Sequence, residues 1–222
     1  IDTAYVSASF VKIPSSIEKV IYTEGAQALP YWIDSLLPDE AAGLNYKTLL
    51  QNTNIFNYSF PKVLPSYDKS SKHADGFLPF TSDQISRTKE ALSYIASVIN
   101  LQFRETGDAN QLNTLSFANN NQTGSAGYAQ MPDDTPGGSD VFLDKSSRTT
   151  LTLKDGQYQT LTLIHEVGHA LGLEHPFSAP SAGTNVIADP PYLNSVEDTT
   201  TWTVMSYTDS PAQYYLQYSP LD

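Results

Sequence analysis

The stretch HEVGHALGLEH at residues 165–175 contains three of the four histidines of this 222-residue chain. His165 and His169 are four positions apart, so a helix would place both imidazoles on one face, one turn apart. Gly172 can adopt the left-handed conformation that ends a helix and reverses the chain. The reversal would bring His175 back toward the first two histidines, and the proline that follows it prevents the helix from resuming.

Three converging imidazoles are the ligand set of a catalytic zinc site, which keeps a fourth position open for water. Glu166 directly follows the first of these histidines, and its carboxylate could accept a proton from that water. An HExxH pattern alone would be weaker evidence, but the added glycine and third histidine favour the zinc interpretation. The fourth histidine, His73, lies among polar residues, and we predict that it is exposed and binds no metal.

Composition excludes several classes of function. The net charge is −12 with only 12 lysines and arginines, which argues against binding to nucleic acid or to an anionic membrane surface. The chain has no cysteine, so disulfides, thiol nucleophiles and cysteine-ligated zinc are excluded. No run of eighteen apolar residues occurs that would predict a membrane-spanning helix.

The remaining pattern predicts one domain over residues 1–222 that mixes helices and strands, with residues 1–50 as an irregular N-terminal extension. Helices are predicted at about 82–100, where Thr81 and Gln84 can form a capping box, and at about 159–171. The first of them has an apolar stripe of Ile85, Leu92, Ile95 and Ile99. Strands are predicted at 55–60, 101–105, 113–118, 127–131 and 139–144, and long loops at 61–80 and 176–200.

The motif of residues 165–175 resembles the signature of the metzincin zinc proteases, HExxHxxGxxH. A stretch further along, Val204-Met205-Ser206-Tyr207, resembles the Met-turn of that family. Pro176 and Glu197-Asp198-Thr199 narrow the resemblance to the serralysin branch, the secreted bacterial metalloproteases. The resemblance implies an α+β metzincin fold: a twisted mixed sheet with an antiparallel edge strand, an active-site helix and a backing helix.

The resemblance also implies roles for individual residues. It implies His165, His169 and His175 as zinc ligands and Glu166 as the general base, with Met205 as a hydrophobic floor beneath the metal. Tyr207 would approach the zinc and stabilise the oxyanion. An extended substrate would pair with an edge strand formed by Ala126, Gly127, Tyr128, Ala129 and Gln130.

The activity implied by the resemblance is that of a secreted, extracellular zinc endopeptidase. Its substrates would be proteins or peptides, a proteinaceous inhibitor would be a plausible partner, and we expect a monomer. Serralysins usually continue into glycine-rich calcium repeats, which these 222 residues do not contain. We therefore expect a truncated catalytic domain or a branch without repeats, and Ca²⁺ stays open as a second cation.

Three alternatives remain at this point. A deformylase-like zinc hydrolase also uses HExxH but takes a cysteine ligand, which this chain lacks. A zinc-binding module without turnover would not require Glu166 or Tyr207, and both are present. A protease dedicated to its own parent chain or to one partner has the same motifs as a broad-range enzyme.

Overall fold

A six-stranded mixed sheet forms the centre of the computed structural model, which describes residues 29–38, 50, 53–147, 149–180 and 187–209. The strands are β1 (Ile55–Ser59), β2 (Leu78–Pro79), β3 (Gln102–Glu105), β4 (Thr114–Asn120), β5 (Gly127–Ala129) and β6 (Val141–Asp144). Their order is β3-β1-β4-β6-β5, and β2 pairs with β4. The neighbours are parallel except for β2 and β5, which run antiparallel. The predicted mixed sheet with an antiparallel edge strand is therefore confirmed.

Two long helices accompany the sheet, and both lie close to their predicted positions. The helices are α1 (Tyr31–Asp34), α2 (Ser71–Ala74), α3 (Ser82–Val98) and α4 (Tyr158–Ala170). Helix α3 begins with the predicted capping box, because the Thr81 hydroxyl accepts a bond from the Gln84 amide and the Gln84 side chain accepts one from the Thr81 amide. None of the helices within the described residues is long and apolar enough to cross a membrane.

One hydrophobic cluster joins the sheet to α3 and α4. Its fully buried members include Phe56, Leu115, Phe117 and Leu143 from the strands, Leu92 from α3, and Leu163 and Val167 from α4. Ile85 and Ile95 pack against this cluster. Ile99 does not complete the predicted stripe: the helix ends one residue earlier, the backbone there is extended, and the side chain is 40% exposed. The cluster fixes α4 against β5 and β6.

The segment 61–80, predicted as a surface loop, contains α2 and β2 and brings several polar groups into the interior. The His73 ring stacks on Phe142 with ring centroids 4.5 Å apart, and its Nδ1 lies 2.8 Å from a carboxylate oxygen of Asp68. The His73 side chain is only 15% exposed. The prediction of an exposed His73 was therefore wrong, because an aromatic neighbour and a buried carboxylate provide partners that a local sequence pattern does not show.

Asp140, just before β6, is a buried acid. It is 1% exposed, and the Tyr67 hydroxyl lies within 3.0 Å of both carboxylate oxygens. Burial raises the pKa of Asp140 to about 8; the bond from Tyr67 lowers it, and the charges of Asp68 and Asp133 raise it. The folded protein therefore holds a proton here that the unfolded chain releases near pH 4.

We expect Asp140→Asn to stabilise the protein relative to wild type increasingly as pH rises from about 4 to 8. Over this range the folded wild type binds more protons than the unfolded chain, so its free energy of unfolding falls with pH. Asparagine keeps an oxygen that accepts the Tyr67 bond and does not titrate. Urea unfolding at several pH values measures the difference, a few kcal/mol at pH 8. The exposed Asp134→Asn is the control, and a pH-independent difference for Asp140→Asn would contradict the expectation.

Parts of the predicted N-terminal extension, residues 1–28 and 39–49, lie outside the described residues. Residues 29–38 belong to the folded part, where α1 is followed by a segment that reaches the region around the histidine motif. The backbone amide of Glu174 donates to the Leu36 carbonyl over 2.9 Å. The described portion of the extension is thus a packing partner of the motif.

Candidate metal centre

Helix α4 and the turn after it bring the three histidines together. His165, Glu166 and His169 lie on α4, and Gly172 follows it with φ of 96°. The Gly172 amide donates to the His169 carbonyl, and the amide of Leu173 donates to the carbonyl of Gly168. This pair of bonds is a Schellman motif, which confirms the predicted glycine-based helix end. The chain then returns and places His175, which is 4% exposed, beside the helix.

The Nε2 atoms of the three histidines (the histidine triad: His165, His169 and His175) point at a common centre. The Nε2–Nε2 distances are 3.1 Å from His165 to His175, 3.1 Å from His165 to His169, and 3.0 Å from His169 to His175. Among the described residues, the triad is the only group of three or more histidine, cysteine or acidic side chains close enough to share a metal ion.

Backbone carbonyls hold two of the rings in the orientation that metal binding requires. Nδ1 of His165 lies 2.6 Å from the Val204 oxygen, and Nδ1 of His169 lies 2.8 Å from the Leu173 oxygen. A carbonyl can only accept, so each Nδ1 carries the proton and each Nε2 presents a lone pair. Burial lowers the pKa of all three imidazoles, to about 4 for His169 and about 3 for His175, which keeps the ligands neutral.

These features fit a zinc ion. Neutral nitrogen lone pairs packed 3.0–3.1 Å apart repel one another unless a cation lies between them. A tetrahedral site with Zn–N bonds of about 2.05 Å separates its nitrogens by about 3.3 Å, close to the spacing of the triad. Three ligands also leave the fourth position open.

Met205 is fully buried beneath α4 and packs against Gly168. A Cβ atom at Gly168 would lie 2.5 Å from the Met205 sulfur, so only glycine allows this approach. The carbonyl that orients His165 belongs to Val204, the preceding residue. The turn around Met205 therefore contacts both the helix backbone and one ring of the triad.

Glu166 lies in the wall of the site, against the edge strand β5. It is 6% exposed, and burial raises its pKa to about 8. A cation held by the neighbouring imidazoles would lower that pKa again by stabilising the carboxylate. A Cβ atom at Gly127 would lie 2.9 Å from Cγ of Glu166 and 2.9 Å from Cγ2 of Thr162. The absence of a side chain at Gly127 thus leaves the space that the Glu166 side chain occupies.

The matrixin family model, peptidase family M10, matches residues 79–191, which include all three histidines of the triad and strands β3, β4, β5 and β6. The chain belongs to the matrixin family. Serralysin of Photorhabdus laumondii is 33% identical over 156 residues, 68% of this chain and 32% of that protein. Metalloprotease AprA of Pseudomonas entomophila is 33% identical over 180 residues, 78% of this chain and 35% of that protein. Serralysin of Proteus mirabilis is 34% identical over 171 residues.

These similarities confirm that the chain is a serralysin-like metzincin. The chain spans about a third of the length of these curated relatives. Its α+β architecture agrees with the family assignment.

The strand predicted to bind substrate lies at one edge of the described sheet, next to β6. The structure assigns residues 127–129 to β5, two residues shorter than predicted. The carbonyl of Ala126 accepts from Asp144 and the amide of Gln130 donates to Asp140, so the backbone groups of even-numbered residues face β6. Because these directions alternate, Gly127 and Ala129 turn their N–H and C=O groups to the other side, where no strand of the described residues pairs with them.

Tyr128 points to the opposite face of the sheet from Gly127. Its ring stacks on Phe142 with centroids 5.3 Å apart, and its hydroxyl accepts a bond from Asn120 over 2.6 Å. The Tyr128 side chain therefore packs against the sheet on the face opposite to Gly127.

Tyr207 lies at the triad itself. Its ring centroid is 4.6 Å from that of His175 and 5.5 Å from that of His165, and the residue is 51% exposed.

Sequence reasoning missed three residues that contribute to the site around the histidine triad. Gly168 permits the approach of Met205, and a glycine inside a helical pattern was the signal that could have indicated it. Phe177 stacks on the His175 ring with centroids 4.8 Å apart, and Glu174 bonds to a distant loop. No local signal marks these last two, since their partners are remote in sequence or depend on the return of the chain.

We expect Gly127→Val to lower kcat by about 10²-fold while zinc stays bound. A branched side chain at this position would occupy the space of Cγ of Glu166 and displace its carboxylate, which the resemblance implies as the general base. A displacement of about 1 Å in a reacting group lowers the rate by about 10²-fold. Peptide hydrolysis and metal content of the purified variant are the measurements. Gly107→Val is the matched control, because nothing lies within 4 Å of a Cβ atom there. Unchanged turnover in Gly127→Val would contradict this role of the glycine.

Proposed function

We propose that this chain is the catalytic part of a secreted zinc endopeptidase that hydrolyses internal peptide bonds. The observation that carries the proposal is the convergence of three neutral Nε2 atoms next to a buried glutamate, beside an open strand edge. Membership of the matrixin family supports the metalloendopeptidase class. Zinc as the metal, the roles of single residues and secretion are parts of the proposal.

His165, His169 and His175 would hold the zinc ion. Bound zinc would supply a Lewis acid that lowers the pKa of water and polarises a carbonyl group. Glu166 accepts the proton of the attacking water and transfers it to the departing amine. The cation beside it would keep the buried Glu166 carboxylate ionised and able to accept this proton.

Tyr207 is proposed to stabilise the negative charge that develops on the carbonyl oxygen. Its ring lies against His165 and His175 while half of its side chain remains exposed to the cleft.

Substrate binding is assigned to the outer edge of β5 and its flanks, residues 126–130. The backbone groups of Gly127 and Ala129 would pair with an extended peptide, which gives affinity with little demand on sequence. Replacing Ala129 by proline would remove one of these donors, and we expect it to raise KM.

A cavity lies next to this edge and is bordered by Leu161 and Thr162 of α4 and by Val204. This cavity can receive a substrate side chain.

The remaining parts of the proposal rest on the resemblance to serralysins alone. They are extracellular location, a monomeric state, Ca²⁺ as a second cation, a proteinaceous inhibitor as partner and a single catalytic domain in residues 1–222. A protease dedicated to its own parent chain would have the same site, and digestion of casein beside the parent protein separates the two.

Cleavage of a quenched fluorescent peptide library by the zinc-loaded chain tests the function. We expect internal cleavage that a chelator stops and that added zinc restores. A chain that binds zinc stoichiometrically and cleaves neither the library nor casein would overturn the endopeptidase proposal and favour a zinc-binding module.

A further inference from the structure

The third histidine of the triad is carried by a turn that has little structure of its own. After the helix end at Gly172, the residues up to Pro176 form neither helix nor strand. His165 and His169 are fixed by α4, but the position of His175 depends on what holds this turn, residues 172–176 (the His175 turn).

Two distant segments hold the backbone of the His175 turn. On one side the amide of Glu174 donates to the carbonyl of Leu36, from the segment after α1, over 2.9 Å. On the other side the Pro176 carbonyl accepts a bond from the amide of Leu193 over 2.9 Å. The turn is therefore tied to one segment more than 130 positions before it and to a loop that follows it.

The side chain of Glu174 adds a third tie. Both of its carboxylate oxygens lie 3.2 Å from the backbone amide of Asp189, so the carboxylate accepts that N–H between its two oxygens. A carboxylate that accepts a backbone N–H forms a charge-assisted bond, which is stronger than a neutral one. Glu174 thus connects the His175 turn to the 187–193 loop through its side chain and to the N-terminal segment through its backbone.

We propose that Glu174 is a positioning residue that holds His175 in register with the other two ligands and thereby sets the metal affinity of the triad. The proposal rests on the proposed metal site and goes beyond it, because the bonds of Glu174 described above run to backbone groups of Leu36 and Asp189. Without the side-chain tie the turn moves more freely, and the ordering of His175 must be supplied by the metal. Groups that orient a metal ligand typically change affinity by 10- to 100-fold when removed.

The test compares Glu174→Ala, Glu174→Gln and the control Glu90→Ala in the full chain. Glu90 is an exposed glutamate of α3 whose ion-pair partner is Arg87. Zinc affinity is measured by competition with a chromophoric chelator, and thermal unfolding is followed with and without zinc. We expect zinc affinity to fall by about 10-fold or more in Glu174→Ala. Glutamine keeps one oxygen that accepts the Asp189 N–H, so Glu174→Gln should stay within about threefold of wild type, and Glu90→Ala should be unchanged.

Three results would overturn the proposal. The first is wild-type zinc affinity in Glu174→Ala. The second is an equal loss in Glu174→Gln, which would make the charge of Glu174, and not its bond to Asp189, the cause. The third is an equal loss of melting temperature with and without zinc, which would indicate a structural role only. If wild type itself bound no zinc, the proposed metal site would fail instead, and the two failures are distinguishable.

Discussion

Replacing Glu166 by glutamine is expected to lower kcat by about 10²- to 10⁴-fold while zinc remains bound. Glutamine has nearly the same shape as glutamate, so it fits the space beside Gly127 that the buried side chain occupies. It cannot accept the proton of the attacking water, however, and the proton transfer that the carboxylate carries out is lost. Peptide hydrolysis under saturating substrate measures kcat, and metal analysis of the same sample measures the zinc content.

Glu90→Gln serves as the control for this variant, because it makes the same chemical change on an exposed face of α3. It should retain wild-type turnover. Wild-type turnover in Glu166→Gln would exclude Glu166 as the general base. A loss of both turnover and zinc would show instead that the variant had damaged the metal site.

Replacing His169 by alanine is expected to weaken zinc binding by more than 100-fold and to abolish peptide cleavage. The variant removes one of the three nitrogens that meet within 3.1 Å, and loss of a ligand exceeds the 10- to 100-fold effect of losing a group that only orients one. Zinc affinity by chelator competition is the main measurement. The zinc-dependent rise in melting temperature should disappear with it, since a ligand stabilises a protein only to the extent that it binds the folded state.

The fourth histidine provides the matched control. His73 is also partly buried, but it pairs with Asp68 and stacks on Phe142, away from the triad. His73→Ala should lower stability and leave zinc affinity at the wild-type value. Equal zinc affinities in His169→Ala and wild type would contradict the assignment of the triad as the metal ligands.

Features that depend on near neighbours in the chain were predictable from the amino-acid sequence. The spacing of His165 and His169 defines a shared helix face, and Gly172 supplies a left-handed backbone conformation that ends the helix and turns the chain back. The capping box at Thr81 and Gln84 was predictable for the same reason, since its partners are three residues apart. Alternating apolar residues located five of the six strands of the described sheet but not β2, and the mixed sheet itself was expected from the resemblance to metzincins.

Features whose partners are remote in sequence became visible only in the packed fold. The Val204 carbonyl that orients His165, the close approach of Gly127 to Glu166 and the bond between Glu174 and Asp189 each join separate segments. The burial of Asp140 and of His73 is of the same kind, because each depends on groups that other elements bring to it. Helical and strand periods describe which side of an element is apolar. They carry no information about which distant backbone or side-chain group will meet a given residue once the elements have packed.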